Sequence, residues 1–279
     1  MSQYVGQEPQ SETPSIERRQ GLLELEATNS GKVLVIGHRG APAYAPENTM
    51  ASFEKALELD ADLLEVDVQL SRDAELVIMH DADVSRTTDG QGRIADLSLA
   101  EIRQLDAGGW FDARFRGQRV PKLDEVLTWA KGRTQLVIEI KRRLRPIPGI
   151  ETKLVKALRD HQMLDDVMVT SFNHLSVKLV KELEPSLATG IHYNARLIDT
   201  VGAARAALTD SVRFDWRYWT SELVDEVHAA NLGANTAYPG ADEKEMESLV
   251  QMGLDSICIN CPDKLRAYVD RIGRGWQRG

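Results

Sequence analysis

The sequence predicts an α/β protein, a (β/α)8 TIM barrel with a small insertion after its second strand, and three observations predict it. From Lys32 onward, short apolar β-branched runs alternate with amphipathic helical stretches, which is the pattern of βαβ units and a parallel sheet. About eight such units follow the first 31 residues, which suits a closed barrel of about 250 residues. Ionisable residues gather at the C-terminal ends of several of the runs, the face on which such barrels carry their chemistry. An open doubly wound sheet fits less well, because the G-x-G-x-x-G turn it usually carries is absent.

Residues 1–31 are rich in Glu, Ser, Gln and Pro. They read as a flexible N-terminal tail with a short helix around residues 16–25, leaving 32–279 as the barrel. The first strand is expected at 33–36, followed by a helix over 48–59 with Asn48 or Thr49 as N-cap. Strands follow at 63–68 and 76–79. The alternation then breaks between about 81 and 121, a length that marks a functional insertion or a small subdomain. It resumes with a helix at 123–131, a strand at 136–140 and a helix at 151–160. Next come a strand at 167–170, a helix at 174–183, and strands at 188–191 and 212–214. The series closes with a helix at 221–230, a weaker strand at 233–235, a helix at 243–252 and a strand at 256–259.

Hydrophobic residues make up 42% and charged residues 28% of the 279 residues, enough for one large core. With 34 Lys and Arg against 43 Asp and Glu, the net charge of −9 argues against a broad nucleic-acid or anionic-membrane surface. A small anionic substrate stays compatible if a cation or a few local bases neutralise it. No apolar run approaches the roughly 20 residues needed to cross a bilayer, and the first twenty residues carry no secretory-type hydrophobic stretch. A cytoplasmic protein is expected. Cys258 and Cys261 form one C-x-x-C without a second pair, so packing is the expected role and the chain reads as disulfide-free.

Four clusters carry the chemistry. His38 and Arg39 directly follow the first run and lead into Glu47. Glu65 and Asp67, two apart on a strand, share one side. Two carboxylates held that close need a cation, or one must stay protonated. His80-Asp81 ends the run at 76–79, and Glu139-x-Lys141 adds a third inward carboxylate and a cation. Each cluster alone has a bland reading as a structural ion pair. Four together do not, because unpartnered buried carboxylates cost several kcal/mol each. Three carboxylates suit one hard divalent cation, Ca²⁺ or Mg²⁺. Two histidines suit acid–base work, and Arg39 has the fork that matches phosphate. The set suits phosphoryl transfer, with attack by water or by a hydroxyl of the substrate itself, since no marked side-chain nucleophile appears.

The segments GHRGAPAYAPENT (37–49), LEVDVQLSRDAELVIMHD (64–81) and LVIEIK (136–141) closely resemble glycerophosphodiester phosphodiesterases. DAGGWFDARFRGQRVPKLDEVL (106–127) resembles that family's insertion, and GLDSICINCPDKL (253–265) its last strand and loop. The resemblance implies a TIM barrel and hydrolysis of a small glycerophosphodiester to glycerol 3-phosphate and an alcohol. It implies His38 and His80 as the general acid and base, and Glu65, Asp67 and Glu139 as metal ligands. Arg39 and Lys141 fall on phosphate-binding positions, with Glu47 as a carboxylate orienting Arg39 or a ligand. Two departures stand out: Asn235-Thr236-Ala237 where the family often reads W-T-V-N, and Asn260 where it often has Asp. Both are expected near the rim that contacts the alcohol group, clear of the metal and histidine set, and so bear on substrate preference. Phospholipase D-like cleavage of lysophospholipids or sphingolipids would need an apolar, membrane-facing entrance, and the sequence shows no aromatic or basic-amphipathic stripe to supply one. A non-catalytic phosphate-ester-binding barrel would be expected to have lost part of this residue set.

Overall fold

The computed structural model describes residues 22–141 and 148–276, with Leu23 described only in its backbone. The helix expected from residue 16 therefore falls mostly outside the described residues. In its place lies α1 (Leu23–Ala27), followed by β1 (Leu34–Gly37), α2 (Met50–Glu58), β2 (Leu63–Leu70) and β3 (Leu76–Ile78). A segment with the short helix α3 (Leu99–Ile102) leads to α4 (Leu123–Ala130), β4 (Gln135–Ile140) and α5 (Ile150–His161). The remainder alternates strictly: β5 (Val167–Ser171), α6 (His174–Leu183), β6 (Ala188–Tyr193), α7 (Thr200–Ala206) and β7 (Ser211–Asp215). Then come α8 (Ser221–Ala229), β8 (Gly233–Tyr238), α9 (Glu243–Gln251), β9 (Ser256–Ile259) and α10 (Pro262–Arg271).

Eight strands close a parallel barrel in the order β1-β9-β8-β7-β6-β5-β4-β2, sealed by β1 pairing with β2. This is the expected TIM barrel. The run at 76–79 belongs elsewhere, because β3 pairs antiparallel with β2 as the return arm of a hairpin. Only residues 71–75 separate the two strands, and a parallel neighbour needs a crossover of about a dozen residues or more. The weak run at 233–235 is instead a full barrel strand. Besides the four-residue α3 in the insertion, two helices, α7 and α10, have no counterpart in the sequence reading. The first is Ala-rich and short, and the second carries five charges among its ten residues, so neither shows a clear apolar stripe.

Strand alternation sorts the side chains. Leu64, Val66, Val68 and Leu70 of β2 pack outward among Phe53, Val126 and Leu127 of the surrounding helices. That leaves Glu65, Asp67 and Gln69 for the barrel interior, buried like the rest of the strand. Val77 of β3 and the segment that follows build a small core of their own with Met79, Val84, Ile94, Ile102, Ala107 and Val120. Among the described residues no helix is long and apolar enough to cross a membrane, and Cys258 and Cys261 are both buried and unbridged.

Residues 22–31 close the N-terminal end of the barrel. Leu22 packs with Met168 and Ala188, and Ala27 with Leu34, Ile36, Leu63, Val137 and Cys258. Between them Glu24 enters the barrel, fully buried, where it pairs with Arg213 of β7 and accepts a hydrogen bond from Ser256 Oγ at 3.0 Å. Burial pushes the Glu24 carboxyl up, and Arg213 pulls against that shift. Removing one partner of such a pair leaves a buried charge unmatched. Glu24→Ala should therefore lose about 3–5 kcal/mol in urea unfolding, with Glu24→Ala/Arg213→Met regaining most of it. A loss under about 1 kcal/mol would show that the pair does not anchor α1.

Candidate active site

The carboxylate cluster is a product of register. Glu65 and Asp67 lie two apart on β2, and Asp67 stands beside Glu139 of β4 in the parallel ladder. One carboxylate oxygen from each of the three lies within 4.8 Å of the others, and all three residues are buried. Two cations reach in. Lys141 Nζ sits 2.6 Å from Glu139 Oε1 and 3.2 Å from Asp67 Oδ1, and Arg39 Nε is 3.3 Å from Asp67 Oδ2. Asn48 donates from Nδ2 to Asp67 Oδ2 at 2.7 Å, and the backbone N–H of Arg39 donates to Glu65 Oε2 at 2.9 Å.

These partners are unevenly shared. Burial works against an ionised Asp67, but Lys141 and Arg39 outweigh it and hold its carboxyl below the ordinary range. Glu65 goes the other way: burial, then Asp67 and Glu139, push its carboxyl well up. Glu139 is raised by burial despite Lys141. Glu65 Oε1 is buried with no hydrogen-bond partner. An orphaned oxygen and two carboxyls that resist ionisation fit a site built for one more positive charge. The donor set is all oxygen, which is the set a hard divalent cation takes.

The β1 end positions His38, Arg39 and Glu47. The N–H of His38 continues the ladder to Ile259 O, and the chain then turns with Arg39 at φ 53° and Gly40 at φ 91°. A Cβ at Gly40 would lie 2.4 Å from Ser52 Oγ, so only glycine lets this turn seat on α2. Ser52 Oγ donates to Arg39 O and accepts from Ala41 N–H, while Thr49, the observed N-cap, accepts from Ser52 N–H. Glu47 lies beside Arg39, its Oε1 accepting from Arg39 Nη1 at 2.9 Å.

The two histidines have different neighbours. His38 Nδ1 is 2.6 Å from Asn260 Oδ1, a neutral acceptor, and burial followed by the charge of Arg39 lowers its pKa to about 4. His80 reaches the mouth from the hairpin rather than from the end of a parallel strand. Gln69 fixes it there, its Nε2 donating to the carbonyls of Met79, His80 and Asp81 at 2.7–3.1 Å. His80 Nδ1 is 2.5 Å from Asp81 Oδ1. Burial lowers its pKa as well, with Asp67 and Asp81 opposing.

All eight residues singled out in the sequence thus come to one mouth of the barrel. Asn48, Gln69, Arg86, Asn260 and His192 join them without having been singled out as site residues. Asn260, expected clear of the histidines, instead bonds His38, whereas Asn235 lies away from the mouth, accepting from Ser256 Oγ beside Glu24. His192 is buried on β6 with Nδ1 3.7 Å from Glu139 Oε2. Strand alternation alone could have flagged Gln69 and His192, as inward polar residues near strand ends. Nothing in the irregular insertion marks Arg86.

A family model described as the glycerophosphoryl diester phosphodiesterase family matches residues 38–264. A glycerophosphodiester phosphodiesterase of Caldanaerobacter subterraneus is 38% identical over 245 residues, covering 87% of this chain and 100% of the relative. A crystal structure of a glycerophosphodiester phosphodiesterase from Agrobacterium tumefaciens superposes with TM-score 0.74 at 29% identity, over 85% of this chain and 99% of that one. An Oleispira antarctica phosphodiesterase, solved with the product sn-glycerol-3-phosphate, gives TM-score 0.78 at 28% identity, over 87% and 99% of the two chains.

Proposed function

The chain belongs to the glycerophosphoryl diester phosphodiesterase family, and from that premise we propose that it hydrolyses glycerophosphodiesters to glycerol 3-phosphate and an alcohol. The observation that carries the proposal is convergence: three buried carboxylates, two separately partnered histidines, Arg39 and Lys141 meet at one barrel mouth. Glu65, Asp67 and Glu139 would hold one divalent cation, Ca²⁺ or Mg²⁺. When bound, that ion supplies Lewis-acid polarisation of the phosphate oxygens.

The residues of the chain do the rest. Arg39 presents its guanidinium to the phosphodiester, and Lys141 adds a point charge beside Asp67. Asn260 Oδ1 requires a hydrogen on His38 Nδ1, which leaves His38 Nε2 free to take the proton of the attacking hydroxyl, whether water or the glycerol 2-hydroxyl. Asp81 faces His80 with a carboxylate, the partner that stabilises an imidazolium, so His80 protonates the leaving alcohol. Glu47 orients Arg39 rather than meeting substrate. The test is release of glycerol 3-phosphate from glycerophosphocholine and glycerophosphoethanolamine by the purified protein. No release from any glycerophosphodiester, with Mg²⁺ or Ca²⁺ present, would overturn the proposal.

A second reading gains support from surface chemistry. Leu175, Ile198 and Tyr218 are exposed after three consecutive barrel strands, β5, β6 and β7, and Trp110 is exposed in the insertion. No such stripe shows in the sequence because these residues are scattered over the first turn of α6, two later connections and the insertion. Exposed apolar residues on the segments that follow barrel strands suit the acyl chain of a lysophospholipid. Under this reading lysophosphatidylcholine is turned over at least as fast as glycerophosphocholine, and Ile198→Asp lowers the first rate only. Turnover of glycerophosphocholine alone removes it.

A further inference from the structure

We propose that Arg86 is a positioning residue for the reaction, a guanidinium in the insertion that holds His80 in register with Arg39. The proposal rests on the assignment of His80 as the general acid.

His80 and Arg39 arrive on different pieces of chain. His80 hangs from the β2–β3 hairpin, and Arg39 sits in the turn between β1 and α2. Each has its own carboxylate, Asp81 at 2.5 Å from His80 Nδ1 and Glu47 at 2.9 Å from Arg39 Nη1. Arg86 spans the two carboxylates. Its Nε donates to Asp81 Oδ2 at 2.5 Å and its Nη2 to Asp81 Oδ1 at 3.2 Å. Its Nη1 donates to Glu47 Oε2 at 2.9 Å and its Nη2 to Glu47 Oε1 at 2.7 Å. One planar fork thus grips both carboxylates at two oxygens each, a geometry that a lysine ammonium cannot reproduce.

An exposed ion pair usually contributes little. This one differs because Glu47 is only 11% exposed and each carboxylate also faces a group of the reaction centre. Arg86 also decides what Asp81 is. Its hydrogen bond is the largest influence holding the Asp81 carboxyl down, to about 2, so His80 faces an anion at neutral pH. Without Arg86, Asp81 and Glu47 lose their common donor, and His80 can swing with its short loop. Misplacement of an acid by about 1 Å can lower a rate by about 10²-fold.

The test uses leaving groups. A general acid matters for an alkoxide leaving group such as choline and hardly at all for p-nitrophenolate, which departs without a proton. Arg86→Gln should lower kcat for glycerophosphocholine by roughly 10–10²-fold, and for the p-nitrophenyl ester of glycerol 3-phosphate by only a few-fold. Arg86→Lys should recover little, while added guanidinium ion should raise the Arg86→Gln rate on glycerophosphocholine only. His80→Ala, measured on both substrates, is the reference. If His80→Ala loses activity equally on both, the acid assignment fails and the proposal falls with it. If His80→Ala shows the leaving-group dependence and Arg86→Gln does not, Arg86 does not position the acid, although the assignment stands. Melting temperatures of both variants, close to the parent's, would confirm that neither outcome reflects unfolding.

Discussion

Chelation is expected to abolish turnover reversibly, and Glu65→Gln to lower kcat/KM by about 10³–10⁴-fold, since a metal's charge stabilisation is worth several kcal/mol at about 1.4 kcal/mol per tenfold. Of the three carboxylates, Glu65 is the informative one to change. Asp67 and Glu139 have Lys141 close by, whereas Glu65 Oε1 has no partner and its carboxyl is pushed up by burial and by its two neighbours. The metal-free protein therefore gains nothing from the Glu65 charge. In chelator, Glu65→Gln should melt no lower than the parent, and its advantage should grow as pH rises. A carboxyl with a raised folded pKa contributes its stability below the ordinary carboxylate range and loses it as pH climbs through the raised value. With cation at about 100 times its Kd, the parent should gain about 2.7 kcal/mol, and the variant much less. Full activity in chelator, or equal stabilisation of both proteins by Mg²⁺ and Ca²⁺, would remove the cluster from the mechanism.

His38→Ala is expected to lower kcat/KM by about 10²–10⁴-fold, and to do so whatever the leaving group. A base acts on the attacking oxygen, so a better leaving group cannot compensate for its loss. That separates His38 from His80 in one pair of assays. The pH profile carries a second signature. Burial and Arg39 lower the pKa of His38 to about 4, against its hydrogen bond to Asn260, so the base stays unprotonated well below neutral pH. Asn260→Asp would set an anion against Nδ1 and favour the imidazolium. The acid limb of kcat/KM should then move to higher pH, with the alkaline limb unchanged. Loss on alkyl esters only, together with an unmoved acid limb in Asn260→Asp, would reverse the two histidine roles.

Much of this molecule is legible in its sequence because period and spacing are local properties. Two-residue spacing on a strand is enough to place Glu65 with Asp67, and Glu139 with Lys141, on one inward side. Alternating β-branched runs and amphipathic stretches announce a parallel sheet, and about eight such units without a G-x-G-x-x-G turn favour a closed barrel over an open doubly wound one. The motifs around His38, Glu65, His80 and Glu139 also carry the family resemblance, which the matched family model over residues 38–264 bears out. Cancellation of charge is different, because it is summed in space. Register between β2 and β4 sets Asp67 beside Glu139, and barrel closure brings Asn260 to His38 from the far end of the chain. The hairpin that carries His80 looks like one more barrel strand until the five residues before it prove too few for a crossover. Arg86 and Glu24 lie in stretches with little periodicity, and their roles come wholly from the partners the fold supplies: two carboxylates for one, a buried guanidinium for the other. Sequence determined which chemical groups line the barrel; only the tertiary structure decided which of them neutralise one another, because pairing depends on distances that close across 39 or 189 residues of chain.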